Sequence, residues 1–265
     1  VSNATDRSEG APRDGREPGR GALAHAVARV RALLFLGSTF AAILAVGFWL
    51  VPLAAWLSKP GWLKAPCRVW TRILFPLFGM RVVVHHPDRL HDPRARLFIA
   101  NHQSFLDIMV MMGWVRWPSF LAKKEIQSWP WFGWAMNVLR CVFVDRADRE
   151  SRNATGAAVK ASMSHGVDFC IFAEGTRSRD GELLPFRPGG FQIGIDSGAL
   201  ITPVVIDPTW RILNKKGFRM WPRTIHVSIL PPIDAGLLKS TDRKTLAREV
   251  EDAIRTELLR LRSLA

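Results

Sequence analysis

The sequence is poor in cysteine and short of acidic residues. Its three cysteines, Cys67, Cys141 and Cys170, lie far apart in apolar surroundings. No Cys-x-x-Cys pair and no even-numbered set occurs, which excludes a disulfide-stapled fold. Reduced, buried thiols are expected instead, and with them a cytosolic soluble part. Acidic side chains number 23 against 37 Lys+Arg, for a net charge of +14. That imbalance calls for an anionic partner: nucleic acid, anionic lipid or a phosphorylated substrate. No nucleic-acid module is recognisable, so nucleic acid is not expected. Simple solubility is the plain alternative for a basic chain. His85, His86 and His91 lack a cysteine or carboxylate at ligand spacing, so no metal is expected and a polar strand-end cluster is the better description. There is no internal repeat.

Charge is absent altogether from Leu33 to Leu57. About 20 apolar residues suffice to span a bilayer as a helix. The preceding tail is long and acidic and no small-residue cleavage site follows, which argues against a signal peptide. Both flanks are basic: Arg29 and Arg31 before, Lys59, Lys64, Arg68 and Arg72 after. The positive-inside rule therefore assigns no orientation. A second segment, Trp62 to Met80, mixes aromatic, apolar and basic residues as an interfacial helix does. A helical hairpin dipping into one leaflet reconciles the flanks, with Pro52 and Pro60-Gly61 supplying the bend. A single transmembrane span is the competing expectation. Either one implies membrane association; the expected place is the cell inner membrane, with the main domain on the cytoplasmic face where its thiols stay reduced.

What the chain does have is Asn101-His102-Gln103-Ser104-Phe105-Leu106-Asp107, directly after the apolar run Leu97-Phe98-Ile99-Ala100. A histidine with an orienting carboxylate is what deprotonating a hydroxyl requires. Positions five apart on one helix lie roughly 140° from each other. The pair meets only if His102 sits off the helix, on the loop before it. Ser104 suits an N-cap for a helix starting at Phe105. The plain alternative is a capping box, Ser104-x-x-Asp107, with His102 an ordinary loop residue. Ser104 lacks the strand-to-helix elbow of Gly-x-Ser-x-Gly hydrolases, so it is assigned as a cap rather than a nucleophile.

Along the chain, apolar runs predict strands at 81–85, 97–100, 119–122, 141–144, 169–173, 200–206 and 224–230. Helical patterns lie at 105–115, 150–165 and 241–261, the last with Leu246, Val250, Ile254, Leu258 and Leu261 on one stripe. Strands alternating with helices predict an α/β fold: a layered, largely parallel mixed sheet flanked by helices, preceded by the membrane-associated helical hairpin. The expected organisation is a disordered polar tail over 1–24, membrane-associated helix over 25–80 and a catalytic domain over 81–265. Trp129, Trp131, Phe132 and Trp134, just after Lys123-Lys124, suit a membrane interface, an acyl channel or ordinary core packing.

Four blocks together resemble the glycerolipid acyltransferases, in particular the 1-acyl-glycerol-3-phosphate acyltransferases. They are His102-x4-Asp107, Val142-Phe143-Val144-Asp145-Arg146, Phe172-Ala173-Glu174-Gly175-Thr176-Arg177-Ser178 and Ile201-Thr202-Pro203-Val204-Val205. Lys124-Glu125 with Pro130 and Gly133, and Phe186-Arg187-Pro188-Gly189, also fit. Ala173 stands where proline is usual, and Arg140 where the family often has glycine. The resemblance implies transfer of a fatty acyl group from an acyl thioester, acyl-CoA or acyl carrier protein, to the free sn-2 hydroxyl of 1-acyl-glycerol-3-phosphate, giving phosphatidic acid. No cofactor beyond that co-substrate is implied. His102 would be the base, and Asp107 would hold its tautomer. The hydroxyl would attack directly, without an acyl-enzyme. Arg146, Gly175, Thr176 and Arg177 would form the acceptor-phosphate site, with Lys124 a weaker candidate, since guanidinium meets phosphate at two points. Glu174 would orient Arg177 or bind a hydroxyl, and Pro203 would shape a loop near the acyl chain. The alternatives are Asp145-Arg146 and Glu174-Arg177 as structural ion pairs. For the protein as a whole they are another lyso-lipid acceptor, such as lyso-ornithine lipid, a membrane-tethered basic binding protein, or a hydrolase acting through Ser104.

Overall fold

The computed structural model describes residues 21–56, 60–129, 132–138, 141–145, 149–214, 218–238 and 242–264. Ten strands occur among them: β1 Arg81–His85, β2 Arg96–Ala100, β3 Ser119–Lys123, β4 Val142–Val144, β5 Phe169–Phe172, β6 Leu200–Asp207, β7 Leu213–Asn214, β8 Arg219–Met220, β9 Thr224–Ile229 and β10 Ile233–Asp234. The main sheet has the order β1-β9-β6-β2-β5-β3-β4, with β10 beside the start of β6; β7 and β8 form a separate hairpin. From β6 to β4 every neighbouring pair is parallel, as are β1 and β9, and the direction reverses where β6 meets β9 and β10. The mixed, largely parallel sheet is thus as the sequence indicates. The short β7, β8 and β10 lack any period long enough to announce them.

The central strands are buried on both faces, so they read as continuous apolar runs rather than alternating ones. Alternation survives only in which face each residue serves. Phe98 and Ala100 point into one core, and Leu97 and Ile99 into the other. Helices cover both faces, giving three layers. On the first lie α1 (Ala22–Ala45), extended by α2 (Val51–Trp56), then α3 (Lys64–Leu77) and α4 (Leu106–Val110). Two short helices, α5 (Lys124–Gln127) and α6 (Phe132–Val138), follow β3. On the second face pack α7 (Arg149–Ser164) and α8 (Gly189–Ser197); a single turn, α9 (Thr209–Ile212), follows β6, and α10 (Arg243–Arg262) completes this layer. The α10 stripe Leu246, Val250, Ile254, Leu258 and Leu261 is buried there.

The N-terminal segment is helical in two pieces, and of the two expected bend elements Pro60-Gly61 lies in a tight turn, Pro60–Leu63, at the head of α3, whereas Pro52 does not bend the chain. Helix runs from Ala22 to Leu53, 32 residues, long and apolar enough to cross a membrane. The helix begins inside the stretch expected to be a disordered tail; residues 1–20 lie outside the described residues. It continues through Pro52. A wider π-turn over Val46–Leu50 stands just before the proline and contains the carbonyl four residues back with which its ring would collide. The reversal comes later, and α3 returns along α1. Phe35 meets Phe75 and Phe78 edge-on, and Val51 packs with Leu63 at the tip. One stripe of α1, Ala28, Ala32, Phe35 and Thr39, is buried against the domain. The rest is exposed and apolar, including Leu33, Leu34, Phe40, Phe48, Trp49 and Trp56. For Pro52→Ala the expected result is an unfolding temperature in detergent micelles at or above the parent's, since an interior proline lacks a helical donor. A fall of several degrees would mean that Pro52 shapes the reversal after all.

Candidate active site

In a parallel sheet the carboxyl ends of the strands line one edge, and the loops that leave them share a crevice. β2 delivers Asn101–Phe105 there, β5 delivers Ala173–Ser178, β3 delivers Lys124, and β6 ends at Asp207. The catalytic candidates therefore meet although they come from different parts of the chain.

His102 lies on the loop, and α4 begins only at Leu106. This satisfies the condition that the five-residue spacing imposed. His102 Nδ1 is 2.8 Å from Asp107 Oδ2. The backbone N–H groups of Gln103 and Ser104 donate to the same oxygen at 2.7 and 2.8 Å. The other oxygen accepts from the Thr209 hydroxyl. Asp107 is wholly buried, and every contact to it comes from a donor. The carboxylate thus acts purely as acceptor, so the shared proton rests on Nδ1 and Nε2 keeps its lone pair. The imidazole lies flat on Phe172, with ring centroids 3.9 Å apart at 15°. Phe120 continues the stack behind Phe172, at 6.2 Å. Ring plane, tautomer and position are all set before any substrate arrives.

The capping-box alternative is half fulfilled. Asp107 does reach back to the Ser104 N–H, but the Ser104 hydroxyl lies 3.4 Å from the Leu106 nitrogen, and Phe105 occupies the cap without side-chain help. The expected Ser104 cap is thus corrected to an Asp107 cap. Ser104 is buried and has no base bonded to it, because the imidazole's inner nitrogen is turned to Asp107.

Glu174 has a different task from the two expected of it. Its Oε1 accepts the His102 backbone N–H at 2.7 Å and its Oε2 accepts the Leu184 N–H at 3.1 Å. Each oxygen takes a backbone N–H, and no ion pair joins Glu174 to Arg177 among the described residues. Glu174 ties the β5 loop to the histidine. Burial pushes its carboxyl up to about 7; the two N–H groups oppose that shift, while Asp107 and Glu251 add to it. Further backbone bonds complete the seam: Ala173 N to Ala100 O at 3.1 Å, and Ser178 N to His102 O at 2.8 Å.

Gly175 has φ of +71°, where a side chain is strained, and an added Cβ would stand 2.8 Å from the Arg187 Nε. The Arg187 guanidinium therefore passes over the loop. Thr176 and Arg177 are exposed, and Arg177 makes no ion pair among the described residues. Its chain neighbour Ser178 is bonded to His102, so a free cation stands next to the dyad's loop. Lys124 is exposed at the same sheet edge, two strands from β2, with Trp129 and Trp134 exposed beyond it. Arg146, Arg140 and Trp131 lie outside the described residues.

Pro203 is corrected. It sits inside β6, buried and opposite Ile99 of β2, and its carbonyl accepts the Leu230 N–H at 3.0 Å. It shapes no loop. Sequence reasoning also missed Asn101, whose amide spans to β6, donating to Ile206 O and accepting from Ile206 N, both at 2.9 Å. Thr209 and Phe172 were missed as well. Phe172 could have been found, since it opens the Glu-Gly-Thr-Arg block; Thr209 carries no local signal. The histidines His85 and His226 form a stacked pair at the far edge of the sheet, and the described residues hold no cluster suited to a metal.

Residues 81–207 match the family model described as Acyltransferase. The chain is 30% identical over 190 residues to a 1-acyl-sn-glycerol-3-phosphate acyltransferase from Escherichia coli K12, covering 71% of this chain and 77% of that one. It is also 30% identical over 251 residues to a lyso-ornithine lipid O-acyltransferase from Brucella abortus, covering 82% and 91%. Among solved structures, the 1-acyl-sn-glycerophosphate acyltransferase PlsC from Thermotoga maritima superposes with a TM-score of 0.76 at 25% identity, covering 90% of this chain and 98% of that one.

Proposed function

The chain belongs to the acyltransferase family, and on that premise we propose that it transfers a fatty acyl group to the sn-2 hydroxyl of 1-acyl-glycerol-3-phosphate. The observation that carries this reading is the His102–Asp107 dyad, bonded at 2.8 Å beside the loop that bears Arg177. His102 Nε2 takes the hydroxyl proton as the oxygen attacks the thioester carbonyl. The tetrahedral intermediate then expels the thiolate, which recovers the proton from the imidazolium. Asp107 holds the imidazole and balances its transient positive charge. The acceptor phosphate would meet Arg177, which has no carboxylate partner among the described residues, with Lys124 and, by the family resemblance, Arg146 as further candidates and Gly175 and Thr176 allowing close approach.

The donor is an acyl thioester. A net charge of +14 suits the phosphates of coenzyme A and an acidic carrier protein alike. The apolar, exposed flank of the hairpin supports residence at the inner membrane, and three free cysteines support a catalytic domain on the cytoplasmic side. A second reading is O-acylation of a lyso-ornithine lipid, favoured by the wider coverage of that relative.

Purified protein given labelled acyl thioester and competing lyso-lipids should yield mainly phosphatidic acid by mass. Acylated ornithine lipid as the main product would establish the second reading. Loss of charged hydrogen bonds at about 1.5–3 kcal/mol predicts that Arg177→Ala raises KM for the phosphorylated acceptor roughly 10- to 100-fold. Its kcat should stay within about threefold, as for uniform binding. An unchanged KM would remove Arg177 from the phosphate site.

A further inference from the structure

We propose that Thr209 is a positioning residue for acyl transfer: its hydroxyl locks the Asp107 carboxylate so that Oδ2 stays aimed at the imidazole. This rests on the dyad reading given above. Asp107 Oδ2 is shared by three donors, His102 Nδ1 and the N–H groups of Gln103 and Ser104. Among the described residues, Oδ1 has Thr209 alone. Without Thr209, Oδ1 would be a buried anionic oxygen lacking a donor, and the carboxylate would gain by turning about its last torsion, which is broad and shallow, to share the Oδ2 donors between both oxygens. Rotation would turn Oδ2 away from Nδ1 and release the tautomer.

Thr209 is well placed to stop it. The residue is wholly buried, so no water replaces its hydroxyl from bulk. It opens α9 immediately after β6, the strand bonded edge to edge with β2 that carries His102. A hydroxyl has one proton to give. The Gln103 Oε1 is 3.5 Å away, too far to compete with Asp107. Gln103 instead uses its amide nitrogen, donating to Asp207 Oδ1 at 3.0 Å, which binds the histidine loop to the end of β6 a second time. Asn101 does so a third time through Ile206. The β6 end is therefore a rigid mount, and Thr209 is its contact with the catalytic carboxylate, from 102 positions away in the sequence.

The test compares Thr209→Val, which keeps the shape and loses the hydroxyl, with Thr209→Ser and Thr209→Ala. Valine should lower kcat on the order of 10-fold or more while both KM values stay within about threefold, since the lost contact acts on the transition state. Serine should recover most of the loss, and alanine should not. Serine and alanine both lack the γ-methyl and differ only in the hydroxyl, so their difference decides the matter even if the valine variant does not fold. In a His102→Ala background, Thr209→Val should cost nothing further. Normal kcat in Thr209→Val, or equal activities for serine and alanine, would overturn the proposal while leaving the dyad intact. An active His102→Ala would instead overturn the dyad itself.

Discussion

His102→Ala should reduce acyl transfer by about 10³-fold, within the range that a general base supplies, while leaving the fold in place. The second half of that expectation follows from the hydrogen bonds. Removing the imidazole takes one donor from Asp107 Oδ2, but the Gln103 and Ser104 N–H groups remain at 2.7 and 2.8 Å and Thr209 still holds Oδ1. The buried carboxylate stays satisfied. Melting temperature and micelle binding should therefore match the parent. Asp107→Asn is the instructive contrast. An amide oriented with its NH2 toward Gln103 and Ser104 sets donor against donor. Oriented the other way, it sets its NH2 against the Thr209 hydroxyl, which must then turn to accept. Activity and stability should fall together, the latter by about 1–3 kcal/mol. Ser104→Ala should keep most of its turnover. Near-normal turnover in folded His102→Ala would refute base catalysis, and loss of activity only in Ser104→Ala would point to a serine nucleophile.

The second large effect is expected at Glu174, which touches neither substrate nor Arg177 in the geometry described above. Glu174→Ala orphans two buried N–H groups, those of His102 and Leu184. At about 1–3 kcal/mol each, the expected loss of stability is roughly 2–6 kcal/mol. Because one of those groups belongs to the catalytic histidine, kcat should fall on the order of 10²-fold, as for an ångström-scale displacement of a reacting group. The carboxyl also makes stability depend on pH. It titrates at about 7 in the fold against a usual 4.5, so the folded state favours the protonated form. Its contribution is complete below about pH 4.5 and is lost as pH rises through 7. Melting temperature should decline across that window in the parent and decline less in Glu174→Gln, which carries no proton to lose. Identical pH profiles for the two would show that Glu174 does not titrate there.

Both predictions depend on contacts of very different legibility. The His102–Asp107 pair was visible because it is local: five residues, one loop and the start of one helix decide whether the groups can meet. The parallel sheet was visible because strands buried on both faces need unbroken apolar runs such as Leu97–Ala100. Glu174 was visible as a residue but not in its role. Its partners are 72 positions away at His102 and 10 away at Leu184, and nothing in its neighbours says that both oxygens are occupied. Pro203 misled, because a proline beside a motif suggests a loop. In β6 it sits among residues bonded to strands on either side, and its missing donor is tolerated there. Pro52 misled similarly, since a preceding π-turn relieves the clash that makes interior prolines bend helices.

The amino-acid order alone determined the α/β layering, the two-helix entry, the pairing of base and carboxylate, and the family. The first three follow from periodicity or from groups a few bonds apart, where the geometry of one turn leaves little freedom; the family follows from the resemblance of four motif blocks in order. Only the tertiary structure decided that Glu174 grips the histidine backbone, that Asn101 and Thr209 fasten the dyad to β6, and that Arg177 has no ion-pair partner among the described residues. Those contacts exist because parallel crossovers bring the carboxyl ends of distant strands to one edge, and the register of that sheet is set by its whole core rather than by any short stretch of chain.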